Sequence, residues 1–268
     1  MNQSQQEFLK MVERGDKIAM LFAPSFIVDF DYPAIVGMSK ALGAGLVSEI
    51  TYGCHLVNTH YNHYIKTHKN QKYFINTTCP TIVNLIRTQF PDLEKYLLPD
   101  ISCALSFIDF YNLLHPDYKL VFISPCVAKR SFETPRLPEW SLTLTFSELR
   151  ELFIAKNIKA EDYQNTNEQW DKFSRIDTKL YPLDGGLSAT ARWQEFFPDL
   201  KIFIGSGLKS LLPIFMRMKQ GTYDKNLLDV CACEGACVGG PCVFNKDLSI
   251  QEKRQKVIDY YKRFLDNS

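Results

Sequence analysis

A chain of 268 residues with 31 Lys and Arg against 30 Asp and Glu carries a formal net charge of +1, and its length suffices for one large α/β domain or two smaller lobes with real cores. Basic and acidic residues are interspersed, as on an ordinary solvated surface, which excludes an electrostatic grip on nucleic acid. Met1–Asp16 is polar and lacks a signal-peptide profile, and the most apolar stretch, Ile18–Val28, is broken by Pro24 and too short to span a bilayer, so the chain reads as soluble and cytoplasmic, without a membrane partner.

Short β-branched or aromatic runs alternate with helical periodicity along the chain. Lys17–Phe22 reads as a strand, and Pro33–Leu42 as a helix opened by proline and closed by Gly43. A strand over Leu46–Tyr52, a helix over His55–His68, a strand over Tyr73–Asn76 and a helix over Thr81–Gln89 follow. Asp100–Leu114 is helical and Lys119–Ile123 a strand; Thr145–Lys156 is a helix with the capping pattern Thr145-x-x-Glu148. Leu187–Phe196 reads as one helix behind Gly185-Gly186, and Lys201–Ile204 as a strand. Gly207–Lys219 is a helix, Leu227–Cys231 a strand and Ile250–Leu265 a final helix. Such alternation argues for an α/β fold of parallel βα units with right-handed crossovers. The polar, irregular stretch Phe132–Thr178 marks the seam of a two-lobed domain, with lobes of about 1–131 and 132–268.

The eight cysteines are too few for a disulfide-stapled secreted module, so reduced thiols or metal ligands are the default. Cys54 and Cys103 sit in amphipathic surroundings and read as buried thiols that pack as small hydrophobes. Four others stand in tight turns: Cys79 in T-T-C-P at Thr77–Pro80, Cys126 in S-P-C-V-A-K at Ser124–Lys129, and Cys233 and Cys237 in C-A-C-E-G-A-C-V-G-G-P-C at Cys231–Cys242. Each segment follows a strand, and strand-end loops of an α/β sheet converge on one crevice. Pro80 and Pro125 fix the local backbone, and Gly235, Gly239 and Gly240 remove β-carbons where a bulky inorganic cofactor would press.

Three readings compete on these features: structural thiols, a zinc site and an iron–sulfur centre. Zinc sites favour C-x₂₋₄-C clips close in sequence, and the only fitting clip is Cys233-x-x-x-Cys237, so the balance falls on iron and sulfur. Two weaker signals lie elsewhere. His60, His63 and His68 share a near-helical spacing, which a tyrosine- and lysine-rich helix surface explains equally well. Gly205-Ser206-Gly207 opens a helix, as phosphate-binding loops do, but matches neither dinucleotide nor P-loop spacing.

The three cysteine segments resemble, in order and position, the T-S-C-C-P, M-P-C-x-x-K and E-x-M-x-C-x-x-x-C-x-G-G motifs of the iron-only (di-iron) hydrogenase catalytic domain. Three further segments agree: Ala23-Pro24-Ser25 with the family's A-P-A/S turn, Lys129 with its lysine, and Gly185-Gly186 with its glycine pair. The likeness runs from about residue 17 to 245 and is distant overall. It implies an H-cluster in the cleft between the lobes: a 4Fe-4S cluster ligated by Cys79, Cys126, Cys233 and Cys237. Cys237 would be shared with a di-iron subcluster carrying CO, CN and a bridging dithiolate. Ala23, Pro24, Ser25, Lys129, Gly185 and Gly186 would surround the di-iron part.

The activity implied is reversible hydrogen oxidation, with electrons exchanged with ferredoxin or another small carrier and with maturation proteins supplying the cofactor. Departures from the pattern resemble divergent, sensory members of the family. Thr78 stands where the family's proton-relaying cysteine belongs, which leaves Thr78 and the nearby thiol of Cys231 as candidate catalytic residues. Ser124 and Cys231 replace two methionines, Cys242 is additional, and no S-P-Q signature occurs around Ser106-Phe107-Ile108. A ferredoxin-like N-terminal domain is not expected, because the first cysteine is Cys54. The alternatives are a hydrogen sensor of low turnover and a cubane-only iron–sulfur protein.

Overall fold

The computed structural model describes residues 1–265 except Leu137, Glu139, Trp140 and Lys172. Those four fall in the expected seam, whose full course therefore lies partly outside the described residues. From the N-terminus the elements are α1 (Gln3–Glu13), β1 (Ile18–Phe22), α2 (Ala34–Ala41), β2 (Ala44–Glu49), α3 (Thr51–Thr67), β3 (Phe74–Ile75), α4 (Pro80–Gln89), α5 (Cys103–Leu114) and β4 (Lys119–Ser124). They continue as α6 (Val127–Glu133), β5 (Leu142–Thr145), α7 (Phe146–Ala155), α8 (Gly186–Thr190), α9 (Trp193–Phe196), β6 (Ile202–Ser206), α10 (Leu208–Lys219), β7 (Leu227–Cys231) and α11 (Ile250–Leu265).

Two sheets form, of order β2-β1-β4-β5 and β3-β7-β6, and every strand pair is parallel. This is the α/β architecture that the alternating pattern implies. β1, read Ile-Ala-Met-Leu-Phe, is buried at every residue, as a central parallel strand covered on both faces must be. The sheets interleave along the chain: the first takes β5 from beyond residue 131, and the second takes β3 from before it.

The capping box of α7 is present, with the Glu148 amide donating to Thr145 Oγ1 at 3.3 Å and the Thr145 amide to Glu148 Oε2 at 2.8 Å. Three local expectations are corrected. The strand expected over Leu46–Tyr52 ends at Glu49, and Tyr52 lies in the first turn of α3 with its ring 4.6 Å from Phe110. The single helix expected over Leu187–Phe196 is two short ones, parted at Arg192, whose φ of 57° is left-handed. β5 and α6 occupy stretches with no expected element.

The last helix closes over the first sheet. Tyr260 of α11 stacks edge-on against Phe26 at 5.3 Å and accepts from the Trp170 indole at 2.6 Å. Beneath it the fully buried Lys179 ammonium pairs with the carboxylate of Glu49 and donates to Ser174 Oγ at 3.0 Å. Among the described residues no helix is long and apolar enough to cross a membrane.

Candidate metal centre

Because the strands of each sheet run parallel, the carboxyl ends of β1 and β4 and those of β3 and β7 open on shared space. A cavity of about 90 Å³ lies there, bordered by Cys79, Cys126, Cys233 and Cys237 together with Ala23, Pro24, Ser25, Thr78, Lys129 and Cys231. One water needs roughly 10–15 Å³, so the cavity is several groups deep. All four expected ligands, from three distant segments, thus border one space. No three His, Cys, Asp or Glu side chains among the described residues converge tightly enough to share a single metal ion. The thiols ring a volume instead of meeting at a point.

Each loop is held by identifiable bonds. β3 pairs with β7 through only two residues, and the side chain of Asn76 extends the pairing. Its Oδ1 accepts the Val230 amide at 2.8 Å, and its Nδ2 donates to Thr78 Oγ1 at 2.8 Å. Thr77 is clamped in turn, its amide donating to the Tyr61 hydroxyl at 3.0 Å and its Oγ1 to Pro99 O at 2.7 Å. Cys79 then caps α4, with Pro80 at the first helical position, where a missing amide hydrogen costs nothing. On the second loop Ser124 Oγ accepts the Cys126 amide at 3.2 Å. Lys129, in the first turn of α6, donates from Nζ to Thr78 O at 3.0 Å and so ties the first two loops together.

The glycines of the third loop also serve backbone approach, and Gly240 borders the cavity as well. A β-carbon on Gly239 would lie 1.9 Å from Glu234 O, and one on Gly240 would lie 2.7 Å from Pro125 O. They let backbone meet backbone, which sets the Cys237 turn directly against the Cys126 loop. The Cys242 amide donates to Pro125 O at 2.9 Å across the same contact.

The thiols differ in acidity for physical reasons. Cys79 is drawn down to about 6, first by a hydrogen bond from Cys231 and then, against its burial, by the amides of Ala232 and Ile82 and the charge of Lys129. Cys231, bonded toward both Cys237 and Cys79, keeps its proton and is pushed far up. Burial and the neighbouring thiolates push Cys233 to about 12, and burial also raises Cys126. Thiolates so crowded repel one another, and a cationic metal core is what allows several to ionise together.

Not every expected residue reaches the cavity. Gly185 and Gly186 are absent from its border, which is formed there by Tyr181, Pro182, Leu183 and Leu187. The pair shapes the turn behind, where a β-carbon on Gly186 would lie 2.1 Å from Leu180 O. His60, His63 and His68 do not border it either; His68 stacks on Tyr64 at 3.8 Å. Gly205-Ser206-Gly207 buttresses the third cysteine loop, since Ser206 Oγ accepts the Gly235 amide at 3.0 Å and the Gly207 amide donates to Cys231 O at 3.0 Å.

Conversely, Cys54 and Cys103 do border the cavity, with Tyr181 and Asp229, although the sequence marks both thiols as packing residues. The segment of α5 that faces the site begins at Cys103, and Ser106, Phe107 and Ile108 lie outside its border. Asn76 carried no sequence signal at all; only the shortness of β3 exposes its role.

A family model described as iron only hydrogenase large subunit, C-terminal domain, matches residues 16–241. The chain belongs to this family. Among solved structures, a variant of the FeFe-hydrogenase HydA1 from Chlamydomonas reinhardtii is 16% identical, with 94% of this chain and 88% of that one covered at a TM-score of 0.73. HydA(deltaEFG), whose structure reports stepwise H-cluster assembly, is likewise 16% identical, covering 94% and 88% at 0.74. A third FeFe-hydrogenase, studied for oxygen inactivation through its H cluster 2Fe subcluster, is 16% identical and covers 96% and 88% at 0.75. At such identity these likenesses show the fold that an iron-only hydrogenase domain shares with them. No curated protein matches the chain.

Proposed function

We propose that this chain is an iron-only hydrogenase domain that interconverts hydrogen with two protons and two electrons at an H-cluster. The observation that carries the reading is the cavity ringed by Cys79, Cys126, Cys233 and Cys237 and bordered by Lys129 and Ser25. The donor set suits the group. Cysteine thiolates are the ligands of 4Fe-4S clusters. Ser25 Oγ is fully buried on the cavity border without a hydrogen-bond partner, an expense that a polar cofactor ligand would relieve.

Cys79, Cys126, Cys233 and Cys237 would hold the cubane, and Cys237 would also bind the di-iron unit. Ser25 and Lys129 would orient polar ligands of that unit, Lys129 by a charge-assisted bond, while Ala23, Pro24 and Leu187 keep water out. The bound cofactor supplies the redox chemistry of hydrogen, and the protein binds, orients and tunes it. Electrons would be exchanged with ferredoxin or a similar small carrier, and maturation proteins would deliver the di-iron unit.

One observation favours a second reading, a hydrogen sensor of low turnover. Thr78 borders the cavity with its hydroxyl fixed by Asn76, and a threonine is a far weaker acid than the cysteine of the family motif. Isotope exchange between deuterium gas and water separates the readings without an electron partner. Loaded protein that exchanges rapidly supports the enzyme, slow but measurable exchange the sensor, and no exchange removes both.

A further inference from the structure

Helix α10 is apolar over more of its surface than the fold requires. Leu211, Phe215 and Met218 are buried, which completes the inner stripe of an amphipathic helix. Yet Leu208, Leu212 and Met216 are 37%, 37% and 49% exposed. Spaced four residues apart, they adjoin one another along one side of the helix, a second stripe about 12 Å long. Ile204, on the strand that leads into the helix, is 49% exposed as well, and that strand, β6, is the outer one of its sheet.

The charge around the stripe is one-sided. The chain as a whole is balanced, but between Asp199 and Asp224 it carries Lys201, Lys209, Arg217 and Lys219 and no acidic residue. Lys209 and Arg217 each follow a stripe residue and flank it, and Arg217 rests over the Tyr223 ring at 5.3 Å. Of the four cations only Lys219 is in an ion pair among the described residues, with Asp92 at 3.4 Å. Asp92 there and Glu234 beside Gly207 offset part of the charge, and Lys201, Lys209 and Arg217 leave the face positive.

The stripe begins at the candidate metal centre. The Leu208 amide donates to Ala232 O at 3.1 Å and the Gly207 amide to Cys231 O at 3.0 Å. Ala232 adjoins Cys233, so one hydrogen bond separates the first stripe residue from a ligand-bearing loop.

We propose that Leu208, Leu212 and Met216, flanked by Lys209 and Arg217, form the docking face for an acidic electron-carrier protein that exchanges electrons with the cubane through the Cys231–Cys237 loop. The inference rests on the proposed function for the cubane and deepens it by naming the carrier's surface and charge. In each transfer toward hydrogen evolution the carrier is oxidised by one electron and the cubane is reduced by one. No proton moves in that step and no bond changes. A short apolar centre with a charged rim suits this partner: electron-transfer encounters use the smallest interfaces, and rim charge speeds encounter more than it strengthens binding.

The test uses the full chain reconstituted with its cubane alone, and a reduced, acidic 2Fe-2S ferredoxin as the probe. Rapid-freeze electron paramagnetic resonance follows the electron, because reduced 2Fe-2S and 4Fe-4S centres give distinct signals. Transfer should be fast at low salt and slow down as salt screens the rim. Lys209→Glu combined with Arg217→Glu should slow it tenfold or more at low salt and flatten or reverse the salt dependence. Leu212→Ser should slow it at every salt concentration. Iron content and the rate with dithionite, which needs no docking, should stay parental in both variants. Ferredoxin rates that stay parental in both overturn the proposal. A parent chain that sediments as a dimer, dispersed by Leu212→Ser, also overturns it and makes the face a contact between copies. A chain that takes up no cubane removes docking and the proposed function together, whereas a cubane without carbonyl or cyanide bands after di-iron loading sinks the proposed function alone.

Discussion

Asn76 is the residue on which the geometry of the first cysteine loop depends, and Asn76→Ala isolates its contribution. The substitution removes the acceptor of the Val230 amide and the donor to Thr78 Oγ1, both bonds of 2.8 Å. Asn76 and Val230 are each 0% exposed, so water does not replace the lost carbonyl. An orphaned buried N–H costs about 1–3 kcal/mol, and the second bond adds about 0.5–1.5 kcal/mol, for a sum of roughly 2–4 kcal/mol. At roughly 2–4 °C per kcal/mol for domains somewhat shorter than this one, the cluster-free protein should melt about 4–15 °C lower. The loop carrying Cys79 should also lose its alignment with β7, so iron uptake on anaerobic reconstitution should fall. Thermal unfolding by circular dichroism and an iron assay read the two effects separately. A melting temperature within about 1 °C of the parent, together with full iron, would refute the claim that Asn76 joins β3 to β7.

Cys79→Ala, Cys126→Ala, Cys233→Ala and Cys237→Ala should each lose iron and brown absorbance after reconstitution, while Cys54→Ala and Cys103→Ala keep both; full iron in any of the first four removes that residue from the ligand set. Lys129→Ala should take up the cubane but retain the di-iron unit poorly, because a charge-assisted bond inside a site is worth about 1.5–3 kcal/mol; undiminished cyanide bands would make Lys129 only the tie to Thr78. Iron uptake should rise with pH: Cys233 and Cys126 hold protons at neutrality because burial raises the pKa of each thiol, metal binding expels those protons, and Cys79 also protonates below about 6. Uptake that stays flat from about pH 8 down to about pH 6 would contradict this linkage. Thr78→Cys should raise hydrogen turnover about tenfold or more if a positioned acid limits the rate; an unchanged rate means proton entry from that side is not limiting.

The four cysteines that border the cavity were legible because their signals are local: proline or glycine neighbours, a preceding strand and a motif in order. The parallel βα alternation was legible for the same reason, through apolar runs such as Ile18–Phe22. What escaped depends on contacts between distant segments. Cys54 and Cys103 look like packing thiols until Gly53 brings α3 against α5. The glycines around Cys237 suggest cofactor clearance, and the sequence does not show that Gly239 and Gly240 are also needed for backbone approach to Glu234 and Pro125.

Tyr52 is an aromatic with strand preference drawn into a helix by Phe110, an instance of tertiary packing overriding propensity. Arg192 adopts a left-handed φ without glycine, so no residue announced the break between α8 and α9. β5 lies in a stretch too polar to stand out, and its burial comes from pairing with β4.

The central claim, that this cavity carries an H-cluster, is tested most directly by infrared spectroscopy of the purified chain after anaerobic cubane reconstitution and insertion of the di-iron unit. The account predicts sharp carbonyl and cyanide stretching bands that appear in the parent protein and are lost in Cys237→Ala. A parent protein that holds its cubane yet shows no such bands under identical loading would contradict it and leave an iron–sulfur protein without hydrogen chemistry.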